Sequence, residues 1–413
     1  MAYYDALETR TPEARAADLA RDLPSAIARA KTAPAMAASL ASVDSAMITT
    51  RAALAALPVI RKSALGAAQA ADAPFGGYVP GGVTAQRHVF QSPGPIYEPG
   101  DTSRDWWRMG RALFAAGIGC GDVLQNCFSY HLTPAGMMFE NGAAAVGATV
   151  LPAGVGQTEL QVRAAADVGT TAYAGTPDFL KVILEKADEM GVALPKLTKA
   201  MVGGGALFPS LRQYYADRGI VCLQGYGTAD LGSLAYESAG LDGAVEGMIV
   251  DEGVIVEIVR PGTGDPVPDG EVGEVIVTTL NHGYPLVRFA TGDMSAVLAG
   301  ASPCGRTNMR IKGWMGRADQ TAKIKGMFVR PEQVAELVAR HPEIDRARII
   351  VTRANERDVL TVRIETAQAD LAFIAAVEAS VQATLKMRGT VETLAAGALP
   401  NDGKVIEDAR TYD

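Results

Sequence analysis

Cysteine is scarce in this chain: Cys120, Cys127, Cys222 and Cys304 are the only four in 413 residues, and no two form a C-x-x-C pair. That spacing excludes a disulfide framework and reads as reduced thiols of a cytoplasmic protein. Long hydrophobic runs are also missing. The longest small and apolar stretch, Gly142 to Val155, is interrupted by Pro152 and is too short to span a bilayer. The opening residues, Met1-Ala2-Tyr3-Tyr4-Asp5, lack a basic region followed by an apolar one, so no signal peptide is expected. Positive charge is in deficit, with 38 Lys and Arg against 46 Asp and Glu for a net charge of −8. This excludes a broad basic surface for nucleic acid or anionic membrane, but not a local pocket for a phosphorylated cofactor. There is no internal repeat and no low-complexity tail.

What is present is a core-forming composition, 48% hydrophobic and 20% charged, in a chain long enough for two or three domains. Glycine supplies 44 residues, above the usual share of about 7%, without a Gly-X-Y period. The excess belongs to turns and to places where backbone approaches a ligand closely.

Residues 1–70 are alanine-rich and read as helical, with Thr11-Pro12-Glu13 supplying a cap, a first-turn proline and an acid near the positive helix end. Residues 72–101 are dense in Pro-Gly turns around a short strand at Arg87 to Phe90. From 103 to 200 helix and strand alternate. Helices are expected at Trp106–Gly117, Pro134–Gly147, Thr158–Val168 and Pro177–Met190, and strands at Asp122–Cys127, Thr149–Pro152 and Thr171–Ala174. Buried strands follow at Ala200–Gly203 and Val221–Gln224, and residues 244–300 read as mostly β. After about 318 comes a small α+β unit with helices from Pro331 to Arg340 and Ala369 to Lys386. The fold class is therefore α/β: a large layered N-terminal domain with a β subdomain over 1–318, and a small α+β C-terminal lid domain over 319–413.

Several segments can carry chemistry. Gln224-Gly225-Tyr226-Gly227-Thr228-Ala229-Asp230 follows a strand; its glycines admit a ligand, Tyr226 offers a flat face and Asp230 offers oxygens for a hard cation. It reads equally as a tight strand-to-helix turn. Gly203-Gly204-Gly205-Ala206 lies some twenty residues upstream, again after a strand, and reads otherwise as a plain loop. In Arg288-Phe289-Ala290-Thr291-Gly292-Asp293 an acid placed by a glycine turn can accept two hydrogen bonds from a ribose diol, or can simply cap a surface turn. Gly316-Arg317-Ala318-Asp319 falls where composition shifts, and Asn401-Asp402-Gly403-Lys404 lies in a C-terminal loop where a lone lysine is usually solvated.

Taken in order, these segments resemble the motifs of the adenylate-forming superfamily, and specifically of phenylacetate–coenzyme A ligases. The resemblance also takes in Tyr4 to Arg10, Leu57-Pro58-Val59-Ile60-Arg61-Lys62, Gly147 to Pro152 with Gly156-Gln157-Thr158-Glu159, Gly270 to Glu274 and Cys304-Gly305-Arg306-Thr307. It implies that Gly203, Gly204, Gly205 and Ala206 pack against adenine with Tyr226 on the other side, the strip Gln224, Gly225, Gly227 and Thr228 completing the nucleotide site. It implies that Asp293 takes the ribose hydroxyls, helped by Arg317. Asp230 stands where the family has Glu and would serve Mg²⁺. Asp319 matches a hinge, Lys404 matches the catalytic lysine of adenylation, and Tyr130-His131 opens a helix bordering the acyl pocket. The implied activity is ATP-dependent acyl- or aryl-CoA ligation through an acyl-adenylate. It uses ATP/AMP, Mg²⁺, a small carboxylic acid and coenzyme A, with a homodimer as the default assembly.

One departure stands out. The family's phosphate-wrapping loop, ending in Gly-Lys-Pro, corresponds by position to Gln91-Ser92-Pro93-Gly94-Pro95-Ile96-Tyr97-Glu98-Pro99. Two prolines remove N–H donors, and Glu98 reverses the charge at the lysine position. An anion there should repel a polyphosphate. The alternative reading is therefore a degenerate nucleotide- or acyl-adenylate-binding relative with weak or no ligase activity. Some relatives bind zinc near the β region; here Cys304 remains but Ser238 and Met248 occupy the partner positions, so no zinc is expected.

Overall fold

The computed structural model describes residues 2–93, 95–318, 322–324, 327–354 and 357–410. It divides into two compact units. The first comprises 1–256, 277–289 and 298–314; the second comprises 257–276, 290–297 and 315–413. The segments 257–276 and 290–297 thus group with the chain after 315.

The first unit begins with the Pro12–Ala30 helix, where Thr11 Oγ accepts from the Ala14 N–H, Pro12 occupies the first turn and Glu13 faces the positive helix end. Short helices Pro34–Ser39, Arg51–Ala55 and Lys62–Ala71 follow. The hairpin His88–Ser92/Ile96–Gly100 is antiparallel, with Phe90 facing Glu98 and Ser92 facing Ile96.

The core of this unit is a sheet with five parallel strands in the order Thr149–Pro152, Val123–Asn126, Ala172–Gly175, Lys199–Val202, Val221–Thr228. Numbered along the chain this is 2-1-3-4-5, so the winding reverses between Val123–Asn126 and Ala172–Gly175. In open α/β sheets, ligands settle at the carboxyl ends of the strands beside such a reversal. Gly232–Tyr236, Met248–Val250 and Arg310–Ile311 continue the sheet in antiparallel fashion. The crossover helices are terminated as their sequences dictate. Thr158–Val168 and Pro177–Met190 each end at a glycine in the left-handed region, Gly169 and Gly191. Their apolar stripes bury Val162, Ile183 and Ala187 against one another.

The second unit has its own core. The long antiparallel pair Ile344–Ala354/Arg357–Thr366 is flanked in parallel by Ile406–Asp408 on one side and Thr390–Leu394 on the other. Helices Pro331–Ala339 and Leu371–Leu385 cover it, burying Val334, Leu337, Phe373, Val377 and Val381 with Ile349, Val351, Val362 and Ile364. A smaller cluster of Val272, Met294, Ala296 and Ala318 lies in the same unit. Among the described residues no helix is long and apolar enough to cross a membrane.

Candidate functional site

The candidate residues fall into two groups, one in each unit. In the first unit they gather at the carboxyl ends of the parallel strands. Residues 127–134 leave the end of Val123–Asn126, at the reversal point of the sheet. Tyr130 and His131 lie in this loop, ahead of the Ala135–Val146 helix rather than at its opening. Pro134 caps that helix, which is why it starts later. The Tyr130 hydroxyl accepts from Asn126 Nδ2 at 2.8 Å, and burial raises its pKa, with Glu140 adding to the shift. His131 is exposed.

Next along the sheet, Gly203 to Ala206 follow the Lys199–Val202 strand, with Gly203 buried and Gly204 to Ala206 exposed. Phe128, stacked on Phe139 with centroids 4.4 Å apart, lies beneath Gly203 and Gly204. The segment Gln224 to Thr228 is not a turn. It forms the second half of the Val221–Thr228 strand, which then doubles back through Ala229–Leu231 into Gly232–Tyr236. Its glycines serve close packing here rather than a bend: a Cβ on Gly227 would stand 2.7 Å from the Gly232 carbonyl oxygen. Gln224 joins the two glycine segments, its Nε2 donating to the Gly205 carbonyl at 2.9 Å while its own N–H donates to Glu237 Oε2 at 2.7 Å. Tyr226 is largely buried in the strand.

Asp230 sits in the hairpin turn with its carboxylate buried. One oxygen, Oδ2, accepts from the Lys62 ammonium at 2.5 Å; the other, Oδ1, has no hydrogen-bond partner among the described residues. Glu98 projects from the Ile96–Gly100 strand, fully buried, with Oε1 accepting from Ser92 Oγ across the hairpin and Oε2 unpartnered among the described residues. Burial pushes the Glu98 carboxyl up to about 8, the Asp230 carboxylate pushing further in the same direction against the Ser92 bond. Tyr284 completes the cluster. Burial and these two acids hold its pKa well above the usual phenol value, and its hydroxyl has no partner among the described residues.

Three buried oxygens of electrostatically interacting side chains thus lack a hydrogen-bond partner among the described residues. An unpaired, fully buried carboxylate oxygen beside a cation is a chemically suitable donor for a hard divalent metal. The upward shift of Glu98 favours its neutral form and so weakens the charge reversal expected to repel a polyphosphate.

Sequence reasoning does not reach Lys62, Glu98 and Tyr284 as site residues; Lys62 and Glu98 enter it only through the motif comparison. Lys62 and Asp230 are 168 positions apart, so no local pattern links them. The available signal was a solitary acid in an apolar Pro/Gly hairpin.

In the second unit, Asp293 lies within the Phe289–Ser295 strand rather than in a turn, and Gly292 takes a left-handed φ of +76° inside that strand. Asp293 is 8% exposed, bridges in antiparallel fashion to Arg317, and accepts from Arg317 Nη1 at 3.0 Å. Lys404 is exposed, in a loop between Thr390–Leu394 and Ile406–Asp408. Gly403 beside it has φ +67°, and a Cβ there would stand 2.7 Å from Val272 Cγ1 and 2.8 Å from Met294 Sδ. Only glycine fits, so the Lys404 loop lies against the residue following Asp293. Asp319 lies outside the described residues.

Cys304 is buried with Ser302 Oγ at 3.1 Å from its sulfur, and hydrogen bonds from Ser302, Ser238 and Arg306 outweigh burial to hold its thiol pKa below the usual value.

Comparison with known proteins fits these observations. Residues 106–282 match the family model described as AMP-binding enzyme. The chain is 30% identical over 263 residues to the phenylacetate–coenzyme A ligase of Thermus thermophilus, a match covering 62% of this chain and 59% of that protein. It is 29% identical over 267 residues to the phenylacetate–coenzyme A ligase of Escherichia coli, covering 63% and 60%. The matches thus span about 60% of those relatives' length. The fold is similar to the crystal structure of 2-hydroxyisobutyryl-CoA ligase in complex with 2-HIB-AMP and CoA. The TM-score is 0.69 at 22% identity, covering 98% of this chain and 91% of that one.

Proposed function

We propose that this chain, which carries an AMP-binding enzyme domain at residues 106–282 and is similar to phenylacetate–coenzyme A ligases, is an AMP-forming acid–thiol ligase. The observation that carries the reading is the buried Asp230 carboxylate, held by Lys62 on one oxygen and without a partner on the other among the described residues, on the same hairpin as Tyr226.

In this reading adenine lies between Gly203–Ala206 and Tyr226, along the strip Gln224 to Thr228. Asp293, oriented by Arg317, accepts hydrogen bonds from both ribose hydroxyls. Among the described residues no group of three or more acids, His or Cys could hold a metal ion; in this reading Asp230 Oδ1 would be a single protein ligand to a Mg²⁺ carried by the phosphates, whose negative charge it would offset. Tyr130 and His131 face the acid, and Asp319 is the hinge of a mobile C-terminal domain. In the first half-reaction an oxygen of the substrate carboxylate forms a bond to the α-phosphorus of ATP and pyrophosphate leaves. The Lys404 ammonium offsets the charge that builds on the α-phosphoryl oxygens. In the second half-reaction the thiolate of coenzyme A attacks the acyl carbon, AMP departs with the bonding electrons, and a thioester remains. Rotation of the small domain between the steps would let one site serve both.

Pyrophosphate release over a panel of small aryl and alkyl acids, with and without coenzyme A, tests the reading. Release with at least one acid, and thioester only when coenzyme A is added, is expected. Silence on every acid, with ATP binding below detection by calorimetry, would refute it. Calorimetry also judges the degenerate alternative: AMP binding much tighter than ATP would favour it, and the upward shift of the Glu98 pKa argues for comparable affinities. In the same experiment Asp293→Ala should weaken AMP binding by about 10-fold or more, the loss of charge-assisted hydrogen bonds worth ~1.5–3 kcal/mol. Unchanged affinity would remove Asp293 from the ribose site.

A further inference from the structure

The loop that presents Lys404 is gripped from two sides inside the second unit. Arg348, on the Ile344–Ala354 strand, is only 3% exposed, yet all three of its guanidinium nitrogens are spent on this one segment. Nε donates to the Lys404 carbonyl at 2.9 Å. Nη2 donates to the Pro400 carbonyl at 3.3 Å and to Asp402 Oδ1, and Nη1 donates to Glu407 Oε2 at 3.3 Å. Asp402 Oδ1 also accepts the Lys404 N–H at 3.0 Å, so a single carboxylate oxygen ties the backbone of Lys404 to the buried guanidinium. Two residues earlier on the same strand face, Arg346 donates to the carbonyls of Leu399 and Pro400 at 3.3 and 3.1 Å. From the other side the Val272 N–H donates to Asn401 Oδ1 at 3.2 Å, and Gly403 packs against Val272 and Met294.

We propose that Arg348 is the positioning residue for Lys404: its buried guanidinium fixes the backbone on both sides of the lysine, so that the ammonium is delivered to one place. The inference rests on the role of Lys404 in adenylation proposed above. The physical argument is one of preorganisation. A lysine side chain is a flexible four-carbon stem, and a loop that wandered as well would spread its charge over many positions. Electrostatic stabilisation of a transition state depends on charge already in place. A guanidinium supplies several directed donors in a plane, which a lysine ammonium at 348 could not reproduce. The bonds fall on Pro400, Asp402, Lys404 and Glu407, whereas the same segment meets the apolar core of the unit through Val405 and Ile406.

The test measures the two half-reactions separately in the full chain. Arg348→Met should lower kcat for pyrophosphate release by about 10–50-fold with KM for ATP changed less than about 3-fold. Thioester formation from a supplied acyl-adenylate should stay within about 3-fold of wild type. The double variant Arg348→Met with Lys404→Ala should be no slower in adenylation than Lys404→Ala alone, because a residue acting only through Lys404 has nothing left to position. Asp402→Ala, at a more exposed site, should shift adenylation in the same direction and serves if Arg348→Met does not fold. Hydrogen exchange of the 399–408 segment reads the grip directly and should quicken in both variants.

Multiplying losses in the double variant, or equal losses in both half-reactions, would overturn the inference. So would a loosened loop with undiminished adenylation. A wild-type chain that releases no pyrophosphate on any acid would instead sink the proposed function, and hydrogen exchange would then stand alone as the measure of Arg348's hold.

Discussion

Lys404→Ala is expected to slow adenylation by roughly 100- to 1000-fold while thioester formation from a supplied acyl-adenylate stays close to wild type. The asymmetry follows from charge. When a carboxylate attacks the α-phosphorus, two anions are pressed together and negative charge accumulates on the phosphoryl oxygens. One correctly placed ammonium in a water-poor site is worth ~2.7–4 kcal/mol at that moment. In the second step a thiolate adds to the acyl carbon and AMP leaves with the bonding electrons, so charge builds on the carbonyl and leaving oxygens, and no crowded five-coordinate phosphorus forms. Lys404 is exposed and its loop is fixed by Gly403 and its neighbours, so removing the side chain beyond Cβ leaves the fold intact. Pyrophosphate release and thioester appearance, followed on the same preparation, check both halves. An unchanged adenylation rate would take Lys404 out of the mechanism.

The second large effect is on stability. Glu98→Gln should stabilise the protein progressively more as pH rises from about 5 to 8, reaching ~3 kcal/mol and then levelling off. The direction follows from the pKa values. Glu98 has a folded-state pKa of about 8, above that of a carboxyl in the unfolded chain, so the folded state binds the extra proton across that interval. Stability is therefore fully present at low pH and is lost as pH climbs through the folded value. Glutamine is neutral throughout and can still accept from Ser92 through its oxygen. Denaturant unfolding of wild type and variant at about pH 5, 7 and 9 measures the difference, and a gap independent of pH would show that Glu98 is ionised in the fold. Wild-type protein should accordingly grow less stable toward alkaline pH by a similar amount.

Much of the first unit was legible. The helices Thr158–Val168 and Pro177–Met190 match their expected boundaries, because Pro177 marks a first turn and Gly169 and Gly191 mark ends that few other residues tolerate. The five parallel strands were legible as short apolar runs between those helices. What failed was the reading of glycine inside strands. From sequence, Gly225 and Gly227 read as ligand-admitting glycines or equally as a tight turn, and Gly292 as a turn, yet all three lie within strands. The strands Gly232–Tyr236, Thr390–Leu394 and Ile406–Asp408 were not anticipated, since their pairing partners are supplied by tertiary context. The candidate nucleotide motifs could be proposed from sequence because they are local runs. The Lys62–Asp230 pair and the grip of Arg348 on residues 400–407 were not, because they join segments 168 and more than 50 residues apart.

The loop 127–134 emerges where the strand order of the first unit reverses, while Gly203–Ala206 follows, and Gln224–Thr228 belongs to, strands farther along the sheet. If the proposed roles hold, choice of acid and grip on the base are encoded in separable stretches of the gene. Swapping residues 127–134 for those of a similar ligase should then retune substrate preference while leaving base recognition alone, an arrangement in which one scaffold can diversify by exchange of a single short cassette.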